Sequence, residues 1–530
     1  METAPAPVLD DAYLRGSAEA LHDLRKARRH NRLADVHWVD GLYRVYITAL
    51  GAVAGTLYAA SFLPNEAVTP ATVERLLEEG PAVLGALFAL ALFFSLRSGA
   101  RGGPLTLESP AVFHELLAPV ARSVSLRAPA IKQLRFMAFS GAVLGAAVGY
   151  LGARRLPEDS FLATMTTAAA FSVAAVGSVG VAMIASGRRW GIWVANGLGV
   201  VLLAWSAADV AAGTTTSPTT LLGALAFAGL ELDPLAFVGI AVFAALAVAG
   251  VIGVGGTSIE AARRRANLVA QLRFAATLQD VRTVVLLRRQ LAQERPRKKP
   301  WFRLGPRGRA HRLPPAWRRD WQSILRFPLV RLVRMAALSV VAGVSLGFVW
   351  EGVTPMFLVA ALALYVVGYD CVEPFAQEVD HPARWGSFPR ETGPTLAVHL
   401  AAGALLMMAC CGIAAAAALL VAPPEVVGAL AATIVPIALV TVVAAAVSTA
   451  MGAPDTAALV GMGADMMGFV MVARLAGPPL AVVLSLVPLL AAGSDPSAVD
   501  AARVFGGEQW MFLVAAGGVL WLRTRHPARI

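Results

Sequence analysis

His114 and Glu115 begin a pattern that is typical of zinc hydrolases. In the motif H-E-x-x-H, two histidines four residues apart on one helix face hold the metal, and the glutamate activates water. The fifth position here is Ala118, so the second metal ligand is missing and the pattern does not predict a zinc site.

Motifs for other chemistry are missing as well. None of the four lysines follows a glycine, so the chain lacks a Walker A loop for the phosphates of ATP. It also lacks a G-x-S-x-G nucleophile elbow and a dense aspartate cluster for magnesium, and its three cysteines do not have the spacing of a metal site. We therefore expect that this chain is not an enzyme and carries no cofactor or metal of its own.

Two charged residues, Asp209 and Arg474, fall within long apolar segments. A charge at the centre of a bilayer costs at least ~2.5 kcal/mol, so such residues commonly mark transport pathways. Arg474 also precedes Gly477 and two prolines, which would kink or break a helix. Two interpretations remain open. The residues have either a structural role, as an Asp209–Arg474 pair or as anchors at the membrane interface, or a role in a transport pathway.

The composition indicates the surroundings of these residues. Of the 530 residues, 57% are hydrophobic and only 15% are charged, and the mean hydropathy is +0.65. Soluble chains carry about 25% charged residues, so this chain has too few to cover its surface in water. The composition excludes an ordinary soluble enzyme, a disordered chain and a secreted disulfide scaffold, and it predicts a polytopic membrane protein.

The predicted fold class is all-α, a membrane helix bundle of about twelve transmembrane helices. A helix needs about 20 apolar residues to cross the hydrocarbon core. Residues 218–230 are apolar but only long enough for a re-entrant or interfacial hairpin. The predicted spans are 42–63, 81–98, 136–153, 161–185, 192–212, 234–256, 335–350, 355–370, 397–421, 426–450, 466–491 and 508–522.

The distribution of basic residues predicts the topology. With both termini in the cytoplasm, 40 of the 45 Lys and Arg residues fall on the inner side or next to it, as the positive-inside rule requires. The predicted outer loops carry mainly acidic residues instead. We therefore predict a multi-pass protein of the cell membrane with both termini cytoplasmic.

The predicted spans form two sets of six with similar features. Val-Ala-Gly occurs in the first span of each set, at 53–55 and 341–343, and the loop after each second span begins with an acid and a proline. An even number of spans per half predicts parallel repeats, with a site or pathway at their interface. The predicted domains are an N-terminal segment 1–41, a first half 42–256, a basic linker 257–334, a second half 335–522 and a tail 523–530.

The linker region is strongly basic, with twenty Lys and Arg against four acidic residues between 257 and 335. Basic residues beside membrane helices hold a segment in the cytoplasm and attract anionic lipids. We therefore predict anionic membrane lipids as partners of the linker, and no nucleic acid. Residues 258–294 have a helical pattern, and 317–334 predict an amphipathic helix on the inner leaflet. The linker is either a tether that fixes topology or a docking surface for a cytoplasmic partner.

Three segments resemble ABC-2-like exporter permeases: 103–122 (GPLTLESPAVFHELLAPVAR), 278–291 (LQDVRTVVLLRRQL) and 372–382 (VEPFAQEVDHP). The resemblance implies a membrane subunit whose two halves replace a dimer of six-span permeases. It also implies a separate P-loop ATPase, in two copies, that docks on the inner loops and binds ATP and magnesium. The loop 373–384 is shorter than its counterpart, which is a departure from two equal docking sites. The implied docking residues are Glu108, His114, Glu115, Arg122, Glu373, Glu378 and Arg384.

Together these features predict the transmembrane permease subunit of an ABC-type exporter for a hydrophobic or amphipathic compound. Apolar spans with few charges favour such a cargo over an ion or a sugar. One alternative is an ATP-independent, ion-coupled carrier, which would depend on Asp209 or Arg474. Another is a lipid-modifying membrane enzyme or an assembly factor, which would depend on a polar residue at an interfacial cavity.

Overall fold

The structure of the chain is a computed structural model in which every regular element of the described residues is helical. The chain divides into two compact units, Met1–Gln271 (unit 1) and Leu272–Ile530 (unit 2). The described residues are 16, 19–27, 38–61, 69–105, 107, 112, 114–118, 120–156, 160–277, 281–291, 296–302, 315–350, 353–381, 392–422, 424–451, 464–489 and 509–524.

Residues 19–27 are helical, and eight further helices follow. They are α1 (Trp38–Ser61), α2 (Pro70–Ala100), α3 (Arg122–Ala153), α4 (Ser160–Gly187), α5 (Ile192–Ala212), α6 (Pro218–Ala226), α7 (Ala236–Gly253) and α8 (Ile259–Thr277). A single 3-10 turn, Val254–Gly256, extends α7. The division between the units falls within α8, whose first half packs by Ala262 and Ala266 on the core of unit 1.

Unit 2 continues with helices of similar length and a few short ones. They are α9 (Val281–Leu291), α10 (Pro315–Ile324), α11 (Leu329–Trp350), α12 (Met356–Cys371), α13 (Glu373–Val379), α14 (Thr392–Val398), α15 (Leu400–Ala418), α16 (Pro424–Met451), α17 (Ala464–Ser485) and α18 (Gln509–Thr524). The predicted helix 258–294 therefore consists of α8 and α9, and residues 278–280 lie outside the described part.

Eight helices of the described part are long and apolar enough to cross a membrane, or nine if the bent pair α12 and α13 is one span. The chain thus has the fold of a helical, multi-pass membrane protein, as the composition predicts. Every predicted span coincides with a helix. Besides α12, which counts only with α13, three of these helices are not among the eight: α1, α17 and α18. The described apolar parts of the last two, Arg474–Leu489 and Trp510–Leu522, are short.

The start of α11 differs from the sequence-based expectation. The predicted span begins at 335, whereas the helix begins at Leu329. Pro328 accepts the first backbone hydrogen bonds of this helix, from the N–H groups of Arg331 and Leu332. The segment expected as one amphipathic lead-in is therefore divided between α10 and the first turns of α11. As a result, Arg331 and Arg334 belong to a membrane-spanning helix.

The helices of unit 1 pack around α4. This helix contacts α2, α3 and α7, while α2 also contacts α5, and α1 contacts α3. In unit 2, α16 has the same position: it contacts α12, α15 and α18, while α12 also contacts α17, and α11 contacts α15. In the order of the predicted spans, the fourth helix of each unit meets the second, third and sixth, the second meets the fifth, and the first meets the third. Unit 1 adds a contact of α3 with α7, and unit 2 adds contacts of α12 with α11 and α15 and of α16 with α17.

A stripe of glycines on α3 brings this helix close to α4. Gly141, Gly145 and Gly149 are buried, and a Cβ atom added at Gly145 would lie 2.6 Å from the carbonyl oxygen of Thr167. Small residues let helix backbones approach, which is how helices associate in a membrane without a hydrophobic driving force. The three glycines therefore let the backbones of α3 and α4 come into direct contact.

We expect Gly145→Ala to destabilise unit 1 by about 1–3 kcal/mol, because the added methyl group has no space between the two backbones. The measurement is thermal unfolding of the purified protein in detergent. Gly152→Ala on the same helix is the matched control, since nothing lies within 4 Å of a Cβ atom there. Equal melting temperatures for the two variants would contradict the close packing of α3 on α4.

Candidate functional site

The first predicted docking loop is held against unit 1 by apolar side chains. Leu105, Val112 and Leu116 are buried in one cluster with Leu126 of α3 and Met183 of α4. The loop is therefore anchored on two helices, α3 and α4.

Within this loop, Glu115 is engaged by the chain itself. The guanidinium of Arg25, in the helical stretch 19–27, donates to Glu115 Oε2 at 2.7 Å and to the carbonyl oxygen of Ser125 at 2.7 Å. Glu115 is buried by this contact, while His114 and Arg122 are exposed. Glu108 lies outside the described residues.

The second predicted docking loop contains α13, and both of its glutamates are buried. Arg319 of α10 forms an ion pair with Glu378 at 2.5 Å, and Gln377 donates to Glu373 Oε1 at 3.3 Å. The carboxylate of Glu378 therefore joins α13 to α10, whereas the hydrogen bond of Glu373 with Gln377 lies within α13. Arg384 lies outside the described residues.

Asp209, in the last turn of α5, lies in a site made of hydroxyl and amide donors. Its Oδ2 accepts hydrogen bonds from the backbone N–H of Ser217 at 2.8 Å and of Thr216 at 3.2 Å, and from the hydroxyl of Thr220 at 2.8 Å. Its Oδ1 accepts from the hydroxyls of Thr214 and Thr216. The carboxylate therefore fixes the turn between α5 and α6.

The helix that follows Asp209 is too short to span the bilayer. A nine-residue helix is roughly 14 Å long, and seven of the nine residues of α6 are buried. It packs on α2, α4 and α7, so its N-terminal N–H groups need partners inside the protein. Ser217 caps α6 by accepting from the N–H of Thr220, and Asp209 accepts from the N–H of Ser217. These contacts favour the structural interpretation of Asp209.

Arg474 of α17 has a similar relation to another helix end. Its guanidinium donates to the carbonyl oxygen of Met451, the last residue of α16, at 3.0 Å. The carbonyls of a final helix turn have no intrahelical donor and carry partial negative charge, so a cation there is stabilising. The charge of Arg474 thus stabilises the C-terminus of α16, the helix around which unit 2 packs.

Unit 2 contains a buried ion-pair cluster that the sequence reasoning missed. Arg334 donates with two nitrogens to Asp370, at 3.1 Å through Nε and at 2.9 Å through Nη2. Arg331 Nε lies 3.8 Å from the same carboxylate, and both Arg331 and Asp370 are buried. Charge pairing makes these residues acceptable at the end of two membrane helices.

A signal for this cluster was present in the sequence. Consecutive spans run antiparallel, so residues at equal distances from the intervening turn face each other. Arg334 and Asp370 each lie 18 residues from Gly352, and Arg331 and Glu373 each lie 21 residues from it. The predicted spans begin at 335 and end at 370, so the two arginines fall outside them and hydropathy alone does not indicate this pairing.

A second buried pair joins α10 to the start of α15. His399 Nδ1 lies 2.7 Å from Asp320 Oδ1, and both side chains are almost fully buried. Asp320 Oδ2 is buried and has no hydrogen-bond partner in the part of the chain that the structure describes. Burial therefore raises the pKa of Asp320, although the hydrogen bond and charge of His399 and the charge of Arg319 oppose this.

Beside the ion-pair cluster of Arg331, Arg334 and Asp370 lies a cavity of about 360 Å³. Its lining combines the charged residues Arg319, Arg326, Arg331 and Glu373 with Ser323 and with apolar side chains such as that of Phe327. Among the described residues, no group of three or more His, Cys, Asp or Glu side chains is arranged to hold a metal ion.

The fold and these sites define a helical membrane protein with polar, ion-paired helix ends. No protein-family model, no curated protein and no solved structure matches this chain. Its function is therefore argued from its own residues.

We expect Asp209→Asn to destabilise the protein by about 2 kcal/mol, because hydrogen bonds to a charged acceptor contribute about 1.5–3 kcal/mol. The measurement is the melting temperature in detergent. Glu231→Gln is the control, since this exposed carboxylate lies at the nearby α6–α7 connection. An unchanged melting temperature together with a loss of transport would instead place Asp209 in a pathway.

We expect the stability that Asp320 contributes to depend on pH. Because its folded-state pKa is raised, the contribution is present below the ordinary aspartate value of 3.8 and is lost as the pH rises through the folded-state pKa. Asp320→Asn cannot ionise, so its melting temperature should fall less than that of the wild type as the pH rises from about 4. Asp23→Asn, at an exposed position, should follow the wild type. Parallel curves for Asp320→Asn and the wild type would contradict this assignment.

Proposed function

We propose that the chain is the transmembrane permease subunit of an ABC-type exporter. It would have twelve spans in two parallel-repeat halves of six in the cell membrane, with both termini cytoplasmic. The observation that carries the proposal is the packing of the two units, in which the same five pairs of spans meet. Such agreement is what a duplicated six-span permease requires, and it supports counting α1, α17 and α18 as spans.

The predicted docking loops support the same proposal. His114 and Arg122 are exposed on a loop that Leu105, Val112 and Leu116 anchor to α3 and α4. A partner that pushes on this loop would therefore move two spans of unit 1. In this proposal Glu115, Glu373 and Glu378 hold the docking elements in shape, while exposed residues contact the ATPase, which would bind ATP and magnesium in two copies.

The helix-end roles of Asp209 and Arg474 disfavour the ion-coupled carrier. A coupled carrier needs a group that changes its protonation or ion occupancy during transport. Asp209 accepts five hydrogen bonds from its own connection, and Arg474 donates to a helix end. Arg331, Arg334 and Asp370 are paired at the ends of α11 and α12. With these charges in structural use, the apolar middle parts of the spans suit a hydrophobic or amphipathic cargo.

We expect a P-loop ATPase to copurify with the chain in mild detergent and to be identified by mass spectrometry and ATP hydrolysis. Arg122→Glu should reduce its recovery about tenfold, since reversing a charge at an interface replaces attraction by repulsion. Arg75→Glu is the matched control, because Arg75 is also exposed but lies on the predicted outer side.

The same preparation distinguishes the alternatives. If no ATPase is recovered even after mild crosslinking, the exporter proposal is wrong, and transport driven by a proton gradient would favour the carrier. If Arg75→Glu and Arg122→Glu reduce recovery equally, the ATPase does not dock on the loop 103–122.

A further inference from the structure

The cavity of unit 2 is formed by four parts of the chain. Its lining comes from α10, from the start of α11, from α13 and from Pro296 of the linker. The linker is tied to this place by backbone hydrogen bonds from Arg297 N–H to the carbonyl of Arg326 and from Trp301 N–H to the carbonyl of Leu325, both at 2.9 Å. The indole of Trp301 also donates to the carbonyl of Phe327 at 3.0 Å. The cavity therefore has a fixed wall on the linker side.

Three arginines line the cavity, and they differ in whether a carboxylate already pairs with their charge. Arg319 is paired with Glu378, and Arg331 lies near Asp370. Arg326 is exposed and has no acidic partner among the residues that the structure describes. Arg326 therefore supplies the guanidinium of the lining that no carboxylate of the described residues already pairs, and the hydroxyl of Ser323 and the amide of Gln322 lie in the same lining.

The guanidinium group binds phosphate through two parallel N–H···O bonds, and arginine clusters are the usual recognition element for this group. A space of about 360 Å³ lies at the small end of the range of ligand sites in proteins, which suits a headgroup. Glu373, the single carboxylate of the lining, adds an acceptor for the hydroxyl or ammonium group that follows the phosphate in common phospholipids.

The surroundings indicate a lipid as the source of the phosphate. Next to the cavity, α11 enters the membrane with exposed apolar side chains, Leu329 at 58% and Val333 at 57% exposure. On the linker side, Phe302 is 75% exposed and Trp301 is 37% exposed. Leu329 and Val333 lie on the outer face of α11, away from Arg331, so an acyl chain would find apolar surface at Phe302 and on that outer face. Tryptophan is favoured at the headgroup level.

We propose that this cavity binds the phosphate of a phospholipid headgroup, with Arg319, Arg326 and Arg331 as its ligands. The sequence predicts a lipid contact for the basic linker, and this cavity gives that contact one defined place. A lipid bound there would join the linker, α10 and α11. The proposal does not depend on the exporter function, because the site is complete within unit 2.

The test uses the full-length protein in a neutral detergent and native mass spectrometry. The probes are dioctanoyl phosphatidylglycerol, dioctanoylglycerol, which lacks the phosphate, and inorganic phosphate. We expect saturable binding of phosphatidylglycerol and none of dioctanoylglycerol. Arg326→Gln should weaken binding about tenfold, while Arg318→Gln, on α10 but outside the lining, should leave it unchanged.

A second variant covers the case in which Arg326→Gln disturbs the fold. Gln322→Glu, at an exposed lining position, should weaken phosphatidylglycerol binding by repulsion, with an unchanged melting temperature in the absence of lipid. Equal binding by all variants, or binding of dioctanoylglycerol as tight as that of phosphatidylglycerol, would overturn the proposal. Displacement of the lipid by millimolar inorganic phosphate would identify free phosphate as the ligand and overturn the lipid assignment.

Discussion

The structure depends on one constraint: a backbone N–H or C=O group in hydrocarbon has no water to pair with. Helices satisfy this constraint except at their ends, where four groups remain. Here arginines donate to these ends. Arg154 reaches the carbonyl of Ala60 at 2.9 Å, and Arg189 that of Gly256 at 3.0 Å, as Arg474 does at the end of α16. Asp209 has the opposite role at the start of α6. The pairing of these charges with helix ends explains their presence in an apolar chain without a catalytic or transport role.

Close packing of backbones is the second consequence of the lipid environment. Apolar surface is not driven together in a membrane, so helices associate through close van der Waals contact. A Cβ atom at Gly250 would lie 2.5 Å from the carbonyl oxygen of Gly180, and one at Gly343 would lie 2.0 Å from that of Ala414. These contacts join α4 to α7 and α11 to α15, two of the pairs that recur by span number in the other unit.

The charged end of unit 2 combines pairs that fix geometry more than they add stability. In a buried ion pair the Coulomb attraction offsets little more than the desolvation of the two charges, but removing one partner is strongly destabilising. Asp370 with Arg334 sets the register of α11 against α12, and Asp320 with His399 attaches α10 to α15. In the proposed exporter, these pairs would make the cytoplasmic elements of unit 2 move as one piece with its spans, and a bound phospholipid would add the linker to that piece.

The sequence by itself determined the helical membrane class, the positions of the helices and the small-residue face of α3, because hydropathy and residue size act locally. It did not determine the partners of the charges. The hydropathy of a short segment falls at Arg331 and Arg334, so the sequence predicts a span that begins at 335. Asp370 of the next helix pairs with Arg334 and lies near Arg331, and the helix begins at Leu329. The sequence likewise indicates a surface position for three glutamates, Glu115, Glu373 and Glu378. Their burial depends on which helix ends meet, and that is decided only when the distant segments pack.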